Sequence, residues 1–345
     1  MCAAGVPLFY SIIMQDKILE FLKKKNEYVS GEEISQHLGM SRQALWKHIQ
    51  ELRDAGYDIV AVPHLGYQLI SSPDRLLPHE LTHSLGTKLI GRKIYYFDHV
   101  SSTMDMAMQL SNKNIPEGTL VIAESQTKGR GRLGRSWISP KYKGIYLSLI
   151  LKPDILPANA SIITLMTAVS ICEGIRQISG IEPQIKWPND ILIHNKKLGG
   201  ILTELKAELD ATSFVIIGIG LNVNNDSDEL VKEAISLKVA KKGLPADRQA
   251  GLLDRQENIN RIELLQEILR KIEENYLILQ KKGSQPILEK WRNYNVTLGR
   301  RIKVVCHKEH VEGEAVDIDR DGGLLVRRDS GIVEKFMAGD VVHMK

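Results

Sequence analysis

The 345-residue sequence has little of three features that would each identify a class of protein. Its 3 cysteines, Cys2, Cys172 and Cys306, form no Cys-x-x-Cys pair, so the spacing of a structural zinc site or a disulfide framework is missing. No run approaches the ~18 apolar residues that span a bilayer, and the apolar start reaches Asp16 and Lys17 without the positive region of a signal peptide. These features predict a cytoplasmic protein in a reducing compartment, with no membrane partner.

Net charge is also small, because 46 Lys and Arg residues are balanced by 42 Asp and Glu residues and leave +4. Such a balance gives the whole molecule little attraction for nucleic acid, so any nucleic-acid contact has to be a local surface. The hydrophobic fraction of 43% and the charged fraction of 26% are ordinary for a folded protein and exclude a disordered or collagen-like chain. The length indicates two or three domains.

The first 72 residues have the pattern of a winged helix-turn-helix. Helical apolar spacing begins at about Met14, so residues 1–13 are expected to lie outside the fold, as a loose tail or a wrongly assigned start. Two further helices follow, with capping residues Ser30 and Ser41 and a glycine between them. Alternating apolar residues on both sides of Pro63–Gly66 predict a β-hairpin, which would be the wing.

The third of these helices carries side-chain types that contact DNA. Its apolar positions are expected to face inward, and the opposite face then presents residues that contact bases and phosphates in a major groove. We predict a DNA-binding helix-turn-helix over Gly31–Gln50, with the recognition-helix residues Arg42, Gln43, Trp46, Lys47 and Gln50. The alternative is a helical hairpin with a β flap and no nucleic-acid partner.

From about residue 75 to residue 285 the sequence has the mixed strand and helix patterns of an α/β domain. Strand patterns fall at 93–97, 119–123, 145–151, 184–187, 190–193, 198–205 and 214–221, and helical patterns at 103–110, 162–179 and 262–279. The polar stretch 238–257 is expected to be a loop or an irregular helical piece. Five short strand patterns, at 302–306, 311–318, 324–327, 333–336 and 340–343, predict a small carboxyl-terminal β-barrel.

The segment ESQTKGRGRLGRSW at residues 124–137 has the Gly-x-Gly-x-x-Gly spacing of a dinucleotide site. That interpretation fails, because a Rossmann site needs a helix after its glycines, and here Pro140 and then a strand follow. What remains is a glycine loop with basic side chains. Glycine lets backbone N–H groups approach an anion, and arginine adds bidentate donors. The segment therefore predicts a loop that binds phosphate or carboxylate; the alternative is a solvated basic loop.

Three further clusters follow in the same domain. In KWPND, Lys186 ends an apolar strand and is placed to donate to developing charge on a carboxylate or an α-phosphate. Asn189 and Asp190 fit either a Mg²⁺ or ribose contact or a turn with a purely structural role. Glycines inside the strand patterns of KLGGIL and GIGLNV indicate that the backbone closely approaches a ligand or another chain.

The order and spacing of GRGRLGR-SW, KWPND, KLGGIL and GIGLNV resemble those of biotin–protein ligases. The amino-terminal segment resembles the DNA-binding domain of the bifunctional ligases that also repress the biotin operon. From about Met14 onward, this resemblance implies an α+β protein of three domains. They are a winged helix-turn-helix at 14–72, a mixed α/β, class II synthetase-like ligase domain that binds biotin and ATP at 75–285, and a small SH3-like β-barrel at 296–345.

The resemblance implies a reaction and a set of partners. The enzyme would form biotinyl-5′-AMP from biotin and ATP with Mg²⁺, and would transfer biotin to a lysine of the biotin carboxyl carrier protein of acetyl-CoA or pyruvate carboxylase. It would also be a biotin-responsive repressor, which binds operator DNA of biotin synthesis genes as a homodimer when the adenylate is bound.

Site residues follow from the same resemblance. Lys186 and Arg132 would be catalytic, and Mg²⁺ would arrive with ATP near Asn189 and Asp190 instead of being held by the protein alone. The family usually has asparagine where Met104 stands, so a backbone contact is implied there. The residues implied for biotin are Ser102, Thr103, Met104, Gln126, Arg130, Gly131, Arg132, Lys186, Gly199 and Gly200. Those implied for the nucleotide are Gly129, Arg130, Arg132, Trp137, Asn189 and Asn222.

Two other functions fit parts of the sequence. A transcription factor that senses an adenylate without catalysis predicts loss of charge at Lys186 or in the glycine loop, and both are intact. A ligase for lipoate or another acyl group needs a roomier pocket, whereas Trp137, Trp187 and the Gly199–Gly200 pair favour a compact bicyclic ligand.

Overall fold

The computed structural model describes residues 6–113, 115–208, 211–243, 258–306 and 309–344. It divides into two compact units, with the boundary between Asp74 and Arg75. Most of the predicted polar stretch 238–257 lies outside the described residues, which resume at residue 258. The part before the gap forms the end of a short helix, Leu237–Lys242, which is the helical alternative of the prediction.

The amino-terminal unit is a three-helix fold with a hairpin. Its elements are α1 (Val6–Lys25), α2 (Gly31–Leu38), α3 (Arg42–Asp54), β1 (Asp58–Val62) and β2 (Gly66–Ser71). Both predicted caps are present, since Ser30 Oγ accepts from Glu33 N at 3.1 Å and Ser41 Oγ accepts from Ala44 N at 3.2 Å. The expectation of a loose tail over residues 1–13 is wrong from Val6 onward, because α1 begins there.

A seven-stranded mixed sheet forms the centre of the second unit. Its strands follow the order β3-β4-β5-β9-β8-β7-β6, in which β3 and β4 are parallel and every other neighbouring pair is antiparallel. They are β3 (Ile94–Phe97), β4 (Thr119–Ala123), β5 (Gly144–Leu151), β6 (Gln184–Lys186), β7 (Asp190–Ile193), β8 (Lys196–Glu208) and β9 (Ala211–Asn222). All seven strands lie within a few residues of the predicted positions.

Helices cover both faces of this sheet. They are α4 (Pro78–Thr82), α5 (Thr103–Ser111), α6 (Ser161–Ser179), α7 (Leu237–Lys242), α8 (Arg261–Lys282) and α9 (Gln285–Tyr294). The helix α6 packs with α8 over one face, where Leu120 and Leu149 point, and α5 covers the other face, where Val121 and Ile150 point. By length and composition α6 could cross a membrane, but 67% of its apolar window is buried inside the protein, as in a core helix.

A five-stranded antiparallel sheet follows at the carboxyl end. Its strand order is β13-β12-β11-β10-β14, from β10 (Arg301–Cys306), β11 (Glu309–Ile318), β12 (Leu324–Arg327), β13 (Val333–Phe336) and β14 (Asp340–His343). This sheet shares a continuous core with the seven-stranded sheet and α6, through Ile302, Val304 and Leu324. Trp187 Nε1 also donates to Gly322 O at 3.1 Å. As a result, the start of β14 lies beside the glycine loop.

Candidate active site

The four sequence clusters meet at one cavity of about 270 Å³ beside the amino-terminal end of α5. The glycine loop forms one wall, and the glycine-rich parts of β8 and β9 form the opposite wall. Ten of the residues implied for biotin or nucleotide line it: Thr103, Met104, Gln126, Arg130, Gly131, Arg132, Trp137, Asn189, Gly200 and Asn222.

The glycine loop is a narrow hairpin, which we call the glycine hairpin (residues 129–137). Gly131 N donates to Arg135 O at 2.7 Å, and Trp137 N donates to Gly129 O at 2.8 Å. The tip turns through left-handed backbone at Leu133 and Gly134, with φ of 53° and 73°. A Cβ on Gly129 would be 2.4 Å from Trp137 O, so glycine is needed for the two arms to approach each other. No long helix starts at these glycines, as predicted.

Buried polar contacts fix the segment that leads into the hairpin. Glu124, fully buried at the end of β4, accepts from Arg261 Nη1 at 2.9 Å and from Leu76 N at 2.7 Å. Two residues later, Gln126 Oε1 accepts from Thr103 N at 2.9 Å, and its Nε2 donates to Ser139 Oγ at 3.0 Å. Since a buried charge needs a partner, this ion pair holds the end of β4 in one position.

The tip of the hairpin is held by its arginines. Arg132 Nη1 donates to Asn189 Oδ1 at 2.8 Å, and Arg132 Nη2 donates to Gly339 O at 3.2 Å. Arg135 forms an ion pair with Asp340 at the start of β14. Burial lowers the pKa of Arg132, and the nearby carboxylate of Asp340 opposes that shift. Arginine remains charged under such conditions, so Arg132 brings a partly desolvated cation to the cavity.

Trp137 lies over the glycines of the opposite wall. A Cβ on Gly220 would be 2.6 Å from Trp137 Cε2, so this glycine makes room for the indole. Gly218 makes room in the same way for Met104 Sδ, 2.7 Å from where its Cβ would lie. The sequence predicted that these glycines let the backbone closely approach a ligand or another chain. In the structure, the groups that approach them are side chains of the same chain, Trp137 and Met104. Trp137 Nε1 is buried and has no hydrogen-bond partner among the described residues.

Lys186 lies next to the cavity and is not among the residues that line it. Burial lowers the pKa of Lys186, while the carboxylate of Asp190 opposes this and the charge of Lys197 adds to it. Lys197 does line the cavity, and its Nζ is 2.6 Å from Asp190 Oδ1. Asp190 is the register partner of Lys186 and the ion-pair partner of Lys197, so the three residues form a charged cluster at the edge of the cavity.

The predicted DNA-contacting face of α3 is largely exposed. Leu45, Ile49 and Leu52 are buried against the other helices, whereas Trp46 is 57% exposed. Lys47 has 74% of its side chain exposed, and its Nζ is 3.9 Å from Glu51 Oε1. The outward set is Arg42, Gln43, Trp46 and Lys47, with Gln50 half-buried.

Comparison with known proteins gives three family matches. The helix-turn-helix domain model matches residues 15–68, the biotin/lipoate A/B protein ligase family matches residues 96–222, and the biotin protein ligase carboxyl-terminal domain matches residues 297–344. The bifunctional ligase/repressor BirA of Bacillus subtilis (strain 168) is 42% identical over 335 residues, covering 96% of this chain and 98% of that protein. The chain belongs to the BirA family of bifunctional ligase/repressors.

A second BirA and a solved ligase structure are also similar to this chain. The BirA of Escherichia coli (strain K12) is 31% identical over 320 residues, covering 93% of this chain and 94% of that protein. The structure of the biotin protein ligase from Aquifex aeolicus, in complex with biotin and ATP, matches with a TM-score of 0.58 and 28% identity, covering 74% of this chain and 99% of that chain. BirA membership confirms the predicted fold class, with a helix-turn-helix, a mixed-sheet ligase domain and an antiparallel β domain. It also confirms the predicted biotin–[acetyl-CoA-carboxylase] ligase activity and the repressor function.

Four of the residues that the biotin–protein ligase resemblance implies do not line the cavity. They are Ser102, Gly129, Lys186 and Gly199. Ser102 is 1% exposed and caps α5, where it accepts from Asp105 N. A Cβ on Gly199 would be 2.3 Å from Leu221 Cδ2, so that glycine serves strand packing. Trp187 is 1% exposed beneath the carboxyl-terminal sheet, so the use of Trp187 as a guide to pocket size is wrong.

The cavity of this BirA-family chain also has walls that sequence reasoning missed. The missed residues include Ser136, Ile138, Lys197, Glu229, Val231, Ala234 and Asp340. Lys197 is the first residue of the KLGGIL cluster, so the sequence did mark its position. Asp340 had no local signal, because it comes from the carboxyl-terminal sheet and lies 205 residues from Arg135 in the chain.

Proposed function

We propose that the cavity binds biotin and ATP together and that its residues perform the adenylation. The arrangement of Trp137, Arg132 and the glycine wall carries the proposal: an indole with an unpartnered N–H and a partly desolvated cation line the same cavity. Such a site suits a compact ring system that carries a carboxylate. The similar Aquifex aeolicus ligase in complex with biotin and ATP supports this choice of ligands.

In the first step the biotin carboxylate attacks the α-phosphorus of ATP. A carboxyl oxygen–phosphorus bond forms, the bond to the β-phosphate bridging oxygen breaks, and pyrophosphate leaves. Negative charge passes through the carboxylate and the α-phosphate. Arg132 and Lys186 would supply positive potential there, and Asn189 fixes Arg132 in advance through the 2.8 Å hydrogen bond. Preorganised donors of this kind stabilise a transition state without reorganising during the reaction.

Mg²⁺ would accompany the triphosphate and neutralise its charge. Within the described residues, no group of three or more His, Cys, Asp or Glu side chains is arranged to hold a metal ion. Asp190 is the register partner of Lys186 across β6 and β7, and its Oδ1 is 2.6 Å from Lys197 Nζ. Asn189 uses Oδ1 for Arg132 and Nδ2 for Ile201 O, so it fits a positioning role better than a metal contact.

In the second step a lysine of the carrier protein attacks the carboxyl carbon of the adenylate. An amide bond forms, AMP leaves, and the attacking amine gives up its proton. Water would compete for the same carbon. The glycine hairpin and Trp137 cover the site and would keep the anhydride from water until the carrier arrives. The carrier would belong to acetyl-CoA or pyruvate carboxylase.

The repressor function would act through the exposed face of α3. One winged unit makes few contacts, and a net charge of +4 adds little long-range attraction. A homodimer would read an operator with two half-sites in biotin synthesis genes, and the bound adenylate would promote that dimer. The absence of a cysteine framework agrees with action in the cytoplasm.

The test of the proposed function is transfer of labelled biotin in the presence of ATP to a purified biotin carboxyl carrier domain. Lipoate in place of biotin and a carrier with its target lysine changed to arginine are the controls. We expect label on the carrier only with biotin, ATP and the intact lysine. Equal transfer of lipoate would favour a broader acyl ligase, and no transfer with any acid would contradict the assignment.

A further inference from the structure

Arg130 lies at the base of the glycine hairpin and contacts two carboxylates from different elements. Its Nε is 3.2 Å from Asp105 Oδ1 in α5, and its Nη2 is 2.8 Å from Glu204 Oε2 in β8. Both elements belong to the packed part of the domain, since α5 covers the sheet and β8 pairs along most of its length with β9. The contacts therefore join the hairpin to two fixed supports.

The charges of this cluster differ from those at the hairpin tip. One guanidinium faces two carboxylates at Arg130, so the cluster of Arg130, Asp105 and Glu204 carries a net charge of −1. Arg132 instead donates to the neutral Asn189 side chain and to a backbone carbonyl, and it shares the Asp340 carboxylate, 4.0 Å from its Nη1, with Arg135. Arg132, Arg135 and Asp340 together carry a net charge of +1. A site with net negative charge repels a carboxylate or a phosphate, whereas Arg132 keeps its positive potential for a ligand.

We infer that Asp105 and Glu204 are positioning residues that hold Arg130, and that Arg130 acts on the hairpin instead of on the ligand. This role differs from the direct ligand contact that the family resemblance implies for Arg130. The inference deepens the proposed function and rests on it for the identity of the adenylate. Arg130 holds the base of the hairpin, and the contacts at the tip place Arg132 toward the ligand.

Removing one carboxylate should loosen the base of the hairpin. A glycine-rich segment loses much conformational entropy when it is ordered, so each fixed contact at its base lowers the cost of closing it over a ligand. If Arg130 instead contacts the ligand directly, its carboxylates compete with the ligand, and removing one of them would free Arg130 to bind. The two roles therefore predict opposite signs for the same substitution.

The experiment compares Glu204→Gln, Asp105→Asn, Arg130→Gln and the double variant Arg130→Gln/Glu204→Gln. Hydrogen exchange of residues 128–137 without ligand is the first measurement, and release of preformed biotinyl-5′-AMP in a chase is the second. Glu182→Gln is the matched control, because it removes a surface pair with Arg176 at 3.4 Å away from the cavity. Glu204→Asp tests whether the charge suffices when the side chain is shorter.

We expect faster exchange of the hairpin and about tenfold faster adenylate release in Glu204→Gln and Arg130→Gln, with the double variant no worse than either single variant, since contacting residues are non-additive. Glu204→Asp should recover part of the loss, and Glu182→Gln should match wild type. Slower release from Glu204→Gln, or unchanged hairpin exchange in both Glu204→Gln and Asp105→Asn, would overturn the inference. The exchange measurement needs no ligand, so it decides the inference even if the proposed ligand is wrong.

Discussion

The indole of Trp137 lies so close to Gly220 that a Cβ on Gly220 would be 2.6 Å from Trp137 Cε2. Both residues line the ligand cavity. Gly220→Ala should displace the indole and cost about 1–3 kcal/mol of overpacking, and adenylate formation should fall by about tenfold or more. The measurements are biotin-dependent pyrophosphate exchange and thermal unfolding. The control is Gly243→Ala at the end of α7, where an added Cβ would be 3.5 Å from Ala240 O, an ordinary van der Waals distance. Wild-type exchange in Gly220→Ala would show that Trp137 is free to move.

Ligand should protect the glycine hairpin from hydrogen exchange. Residues 128–135 are expected to exchange more slowly with biotin and ATP than in the free protein, because the anions offset the entropy lost on ordering the segment. Hydrogen exchange with mass spectrometry measures this, and the turn between β12 and β13 serves as an internal reference. Equal protection of the hairpin in both states would mean that it is a fixed structural turn.

DNA binding should depend on Lys47 through phosphates and on Gln43 through bases. Lys47→Ala is expected to weaken binding to all duplexes alike and to lower the slope of log affinity against log salt by about one. Gln43→Ala is expected to cost about 1–3 kcal/mol for the operator and little for other sequences. Salt-titrated binding to the region upstream of a biotin synthesis operon, with and without biotin plus ATP, measures both effects. Lys281→Ala, in α8 of the other unit, is the control. If the protein binds every duplex equally, with or without biotin plus ATP, then the amino-terminal unit makes only a non-specific contact with DNA.

His343 should make the folded protein sensitive to mild acid. Burial, followed by the charges of Lys186 and Arg300, lowers the pKa of His343 to about 4 from its ordinary 6.5. Between these values the unfolded chain binds a proton that the folded chain does not, so the free energy of unfolding falls as the pH falls through this window and is not affected above it. When the pH is lowered from about 6.5 to about 4, the Tm of the His343→Leu variant should therefore fall less than the Tm of wild type. His83→Leu is the control, and equal losses in all three proteins would contradict the assignment.

The sequence predicted the elements whose residues alternate or recur with a clear period. The long apolar run of β5 and the capped recognition helix are examples, because their own residues specify both structure and burial. The helices α4 and α9 were missed. The first is 5 residues long, and the second has only Ile287, Leu288 and Trp291 buried in 10 residues. Tertiary packing stabilises such short elements, and a local pattern does not record it.

The candidate site was predictable where its residues are close in the chain. The glycine loop and the strand glycines indicated an anion near a close backbone approach, and both line one cavity. The contact of Arg132 with Gly339 O and that of Arg130 with Glu204 were not predictable, because they join residues 207 and 74 positions apart. Such pairs depend on how the sheets pack, so charge and spacing along the sequence indicate the ligand class but not which arginine binds it.

The charged cluster of Lys186, Asp190 and Lys197 should promote adenylation in this cavity, and the variant Lys186→Ala is the sharpest test of that role. Biotin-dependent pyrophosphate exchange should fall by about two to three orders of magnitude, the effect of losing one preorganised donor. The Tm of Lys186→Ala should stay close to that of wild type. The control is Lys196→Ala, at the exposed position next to Lys197, which should catalyse pyrophosphate exchange at the wild-type rate. An exchange rate for Lys186→Ala within about threefold of wild type would contradict the account.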